Sequence, residues 1–111
     1  VEKNHKISGL YDFNTDRDGV WYEGSAHVAA AYKYIGQTAR GAAIVEAIKH
    51  YNDNGAIPAA DRDGLTTGFA DEKSKTRWLL YRRNHVGATA WTLIADKNIN
   101  PFDSSSFSRN H

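Results

Sequence analysis

Cysteine and methionine are both missing from this 111-residue chain, and each absence removes a class of explanation. Without a thiol there is no disulfide, no thiolate nucleophile and no cysteine-held metal, while the redox compartment stays open. Without Met no initiator residue is present, and Val1 is expected to be a processing or proteolytic end. No apolar run reaches membrane-spanning length and no charged-then-apolar leader opens the chain, so it reads as a soluble segment without a membrane partner. An excess of one charge is lacking as well. Lys and Arg total 14 against 13 Asp and Glu, and the bases are scattered apart from Arg82-Arg83. A field able to hold nucleic acid is therefore not expected. The length allows one domain, or a piece of one.

Helical signals dominate what remains. Residues 1–19 are polar and rich in Asn, Asp and Gly, anchored by Ile7, Leu10, Tyr11 and Phe13, and read as an ordered loop. Residues 23–35 are Ala-rich, which favours helix, and Gly36 supplies a permissive backbone just past the end. The apolar residues of this stretch cover most of its circumference, as in a helix buried on several sides. Thr38 is the expected cap of a second helix reaching Tyr51. Here Ala43, Ile44, Ala47, Ile48 and Tyr51 form one apolar face, the pattern of an outer helix. The short link between the two predicts an α/α hairpin.

Residues 55–69 hold Pro58 and three glycines and read as a long irregular crossing. A polar run then leads to Trp78-Leu79-Leu80-Tyr81, read as a short helix. Asn84 is the expected cap of a third, inner helix that ends before Pro101. The Ser-rich stretch 103–111 is expected to fray. Two echoes support a repeated plan: Asp16-Arg17-Asp18-Gly19 recurs as Asp61-Arg62-Asp63-Gly64, and Ser25-Ala26 as Thr89-Ala90. Three helices offer too little outer surface to cover two inner ones. The remaining part of the same protein or another subunit is therefore an expected partner.

The segments Gly19-Val20-Trp21-Tyr22-Glu23-Gly24-Ser25-Ala26-His27-Val28-Ala29 and His85-Val86-Gly87-Ala88-Thr89-Ala90-Trp91, closing with Ile99-Asn100-Pro101-Phe102, carry a family resemblance. Over roughly residues 18–102 the chain resembles the carboxy-terminal portion of six-hairpin, (α/α)6-toroid proteins related to glycoside hydrolases. The resemblance implies an all-α fold: α/α hairpins forming part of a toroid, with long ordered loops. It also implies a ligand at the mouth formed by loops entering the inner helices, where Glu23 and His85 would sit. Toroids of this kind include hydrolases, lyases and non-catalytic proteins, so the fold does not select the reaction.

Glu23 is the candidate acid or base, because it stands at a helix entrance beside Trp21, which could exclude water. The plain alternative is a first-turn Glu that complements the helix dipole. Asp18, with Asp16, is the candidate auxiliary carboxylate, or else a turn and cap residue. Trp21 and Tyr22 offer flat faces with polar tips suited to a sugar ring. His27 lies one turn after Glu23, on the same helix face, and His85 completes the ligand-facing set. Trp91 is read as core packing. Asn14-x-Asp16-x-Asp18-Gly19 has the front half of a calcium loop. Ser25 occupies the place of the closing Glu, so no metal is assigned. No cofactor is implied. The leading expectation is a carbohydrate-active segment contributing to glycosidic-bond hydrolysis in the complete protein; the alternative is a non-catalytic helical binding or assembly module.

Overall fold

A computed structural model describes residues 9–16, 18–52 and 54–99. Its elements run α1 (Tyr22–Tyr34), α2 (Thr38–Lys49), β1 (Leu65–Ala70), β2 (Arg77–Leu80) and α3 (Val86–Asp96). The expected fraying of residues 103–111 lies outside the described residues. So do Arg17 and the Pro101 stop.

The helices form where the small and apolar residues predicted them. Gly36 takes a φ of 91° and turns the chain from α1 into α2. Gly41 lets the two helices approach closely, since a Cβ there would stand 2.7 Å from the Ala29 carbonyl oxygen. The buried face of α2 is Gly41, Ile44, Val45 and Ile48, a helical stripe displaced from the expected one because Ala43 points to solvent. α1 packs against both α2 and α3. Around it Leu10, Val20, Tyr22, Ala26, Ala29, Ile44, Val45, Ile48, Ile57, Ala88 and Ala95 form one core. The ends of α2 and α3 are joined by the Lys49–Asp96 ion pair at 3.1 Å.

The all-α expectation is overturned. Among the described residues, three helices and an antiparallel pair of strands make a small mixed α/β domain and form no toroid of α/α hairpins. Trp78-Leu79-Leu80, read as helix, belongs to β2, and the end of the crossing segment is β1. The residues explain the outcome: Thr66, Thr67, Phe69 and Trp78 are β-branched or aromatic and suit a pleated surface. Leu65 pairs with Leu80 and Thr66 with Leu79, then the register slips before Ala70 meets Arg77. Gly68, at φ 80°, sits inside that slip. It bulges the strand instead of ending it. The turn is built by Asp71, whose Oδ1 accepts from the N–H groups of Lys73 and Ser74.

The third helix, expected to need cover from beyond its own hairpin, has one buried face. Only Ala88, Thr92 and Ala95 are buried, a single stripe, while Val86 is 85% exposed and Leu93 57%. Among the described residues α3 is therefore covered on one side. Among the described residues no helix is long and apolar enough to cross a membrane.

Candidate functional site

The entrances of α1 and α3 are framed by the same set of bonds. At α1 the Trp21 N–H donates to the Tyr11 carbonyl at 2.8 Å. The Tyr11 N–H donates to Ser25 Oγ at 3.0 Å, and that hydroxyl donates to the Trp21 carbonyl at 2.9 Å. At α3 the His85 N–H donates to the Ile57 carbonyl at 3.0 Å. The Ile57 N–H donates to Thr89 Oγ1 at 2.9 Å, and that hydroxyl donates to the His85 carbonyl at 2.8 Å. The echo between Ser25-Ala26 and Thr89-Ala90 is thus physical: a hydroxyl one turn into each helix ties down the incoming chain.

The acidic echo has a different meaning. Asp61 accepts from the Val20 N–H at 2.8 Å and pairs with Arg62 at 2.9 Å, while Asp63 accepts from the Arg82 N–H. These are loop clamps. The cap expected at Asn84 is supplied instead by His85, whose Nδ1 accepts from the Ala88 N–H at 3.0 Å. That bond leaves the proton of a neutral ring on Nε2.

Three of the expected residues, Glu23, His85 and His27, line the seam between these helices. A Cβ at Gly87, in the first turn of α3, would meet both carboxylate oxygens of Glu23 at 2.8 Å and His85 Cε1 at 2.9 Å. Glu23 and His85 therefore converge on one spot that only glycine leaves open. One turn deeper His27 stacks on Trp91, with ring centroids 3.7 Å apart and planes tilted by 40°. Trp91 is thus half-buried next to the candidate site. Trp21 lies on Gly24, where a Cβ would overlap its ring, and contacts Phe13 at 4.5 Å.

Tyr22 and Asp18 are placed elsewhere. Tyr22 is fully buried against Tyr51, with ring centroids 5.5 Å apart. Its hydroxyl has no hydrogen-bond partner among the described residues, and burial pushes its ionisation well above the ordinary range, with the Asp61 charge adding to the effect. Asp18 belongs to the loop before α1, where Oδ2 accepts from the Thr66 hydroxyl at 2.9 Å and from the Thr66 N–H at 3.3 Å.

Asp12, Asp16 and Asp18 offer carboxylate oxygens within 4.8 Å of one another. Such a donor set suits a hard cation. Asn14, the first residue of the supposed calcium loop, instead accepts from the Asp16 N–H at 3.1 Å, and Asp12 takes its place in the cluster. Burial pushes the Asp12 carboxyl up to about 6, and the charges of Asp16 and Asp18 add to it. Asp16 is held below its usual range, chiefly by the Thr66 hydroxyl. Sequence reasoning missed Asp12 and Thr66; the two-residue spacing of Asp12, Asn14, Asp16 and Asp18 was the available signal.

Comparison with protein-family models, curated proteins and solved structures finds no match for this chain.

Proposed function

We propose that the chain is part of a carbohydrate-active protein and holds a sugar at the seam between α1 and α3, with Glu23 as acid or base. The convergence of Glu23 and His85 above Gly87 carries the reading. A carboxylate and an imidazole at one open spot can exchange protons with a bound hydroxyl or glycosidic oxygen. The His27–Trp91 stack gives the same seam a flat wall, against which the apolar face of a sugar packs. Glycosidic-bond hydrolysis calls for two carboxylates. Asp18 is engaged with Thr66, so the partner of Glu23 comes from a group brought by the complete protein.

Glu23→Gln keeps the shape of the side chain and removes its charge. In the intact protein, oligosaccharide turnover measured by reducing-end release is expected to fall by about 10²–10⁴-fold. Unchanged turnover would remove Glu23 from the chemistry. A second reading, a non-catalytic assembly module, is favoured by the apolar groups left bare: Val86 and Leu93 on α3, and Tyr34 and Ile35 at the far end of α1. A well-folded monomer by sedimentation would remove it.

A further inference from the structure

The hairpin supports a second binding surface that the seam does not use. Phe69 and Trp78, on opposite strands, are 58% and 60% exposed, with ring centroids 6.3 Å apart and planes 38° from parallel. Behind them Phe13 meets Phe69 edge-on at 6.2 Å and Trp21 at 4.5 Å, so the outer rings rest on a packed aromatic base. A groove of about 260 Å³ opens beside them, and its polar lining includes Asn14, Asp16, Thr66 and Arg77. The strands beneath are held in place: the Thr67 hydroxyl donates to the Trp78 carbonyl at 2.6 Å. Gly68 leaves room for the Asn14 amide, which would stand 3.3 Å from a Cβ there.

We infer that this groove binds one pyranose unit of an oligosaccharide, stacked on Trp78 and Phe69, with its hydroxyls met by Asn14, Asp16 and Arg77. A sugar is amphipathic in the same way as the groove. Its ring C–H face is apolar and matches an exposed aromatic pair, while its rim alternates donors and acceptors. Asn14 and Arg77 donate and Asp16 accepts, so the lining suits a neutral polyol with both kinds of group. The inference rests on the carbohydrate reading above and adds an outer subsite to it. The two part on Trp78→Ala: unchanged binding removes the groove and leaves the seam, whose own failure is read in turnover through Glu23.

The test is calorimetric titration of the full chain with neutral hexasaccharides of glucose, xylose, mannose and N-acetylglucosamine. At least one is expected to bind. Trp78→Ala, at an exposed position that leaves the fold intact by circular dichroism, is expected to weaken that binding by about tenfold or more, while Trp78→Phe retains most of it. Three results overturn the proposal: no hexasaccharide binds the native chain, Trp78→Ala binds as tightly as the native chain, or Trp78→Ala dissociates an oligomer of the native chain, which would make the ring pair a protein contact.

Discussion

The entrances of α1 and α3 share one backbone frame and differ in what fills it. At α1 the residues inside the frame are Trp21 and Tyr22: one ring lies on Gly24 and the other is sealed in the core. At α3 they are His85 and Val86, both exposed, and the first-turn glycine faces the Glu23 carboxylate together with the edge of the exposed His85 ring. A helix start of fixed geometry therefore serves as a packing joint in one place and as an open seam in the other. Side-chain volume decides which. The hydroxyls of Ser25 and Thr89 keep the frame constant, so α1 can lend Glu23 to a site whose open side belongs to α3.

The glycine pair gives the largest contrast. Gly24→Ala must displace the Trp21 ring and is expected to cost about 1–3 kcal/mol in urea unfolding. Gly87→Ala meets the far end of the flexible Glu23 side chain and the His85 ring that caps the helix. The gain in helix propensity offsets the shift of the cap, so stability is expected to change by less than about 1 kcal/mol, while the carboxylate is driven out of the seam. Equal losses at both glycines would break the distinction between joint and seam.

Removing the hydroxyls tests the shared frame. Ser25→Ala, at a fully buried site, is expected to cost about 1–3 kcal/mol because the Tyr11 N–H loses its acceptor. Thr89→Ala removes the acceptor of the Ile57 N–H and, with Thr89 itself only half-buried, is expected to cost about 0.5–1.5 kcal/mol. Chemical denaturation of the two variants measures the difference. A negligible cost at either position would show that the frame is held by other contacts.

The smallest effect is a pH dependence confined to α1, since among the described residues the acidic cluster lies in its incoming loop. The Asp12 carboxyl has its pKa raised to about 6 in the fold, so the folded state takes up a proton that the unfolded chain, near 3.9, does not. The stability this contributes is complete below about pH 4 and is lost as pH rises through about 6. Asp16, shifted downward, acts in the opposite direction and only as pH falls below its usual range. Hydrogen-exchange protection of the Trp21 N–H is therefore expected to decline from pH 4 to 6 while that of the His85 N–H holds. A parallel decline at both would place the titration outside the acidic loop.

Much of this comparison was legible in the residues. The small-residue runs marked α1 and α3, Gly36 marked the turn, and Glu23 one turn before His27 marked a helix face that does point into the seam. The hairpin was not legible, because strands of this length carry too few residues to show a period of two, and Gly68 and the turn at Asp71 read as breaks in a loop. Tyr22 was misplaced for a related reason. Neighbouring rings at a helix start look alike in sequence, and only the packing of Tyr51 shows which one is enclosed.

By itself the sequence determined where α1, α2 and α3 lie, because intrinsic propensity and the spacing of small residues act locally along the chain. It also determined that hydroxyls would stand one turn into both α1 and α3. The tertiary structure alone decided that Glu23 and His85 converge on Gly87, that His27 covers Trp91, and that Phe69 and Trp78 share a groove with Asn14 and Asp16. These groups lie far apart along the chain, and what joins them is the packing of α3 on α1 and the folding back of the hairpin on the acidic loop.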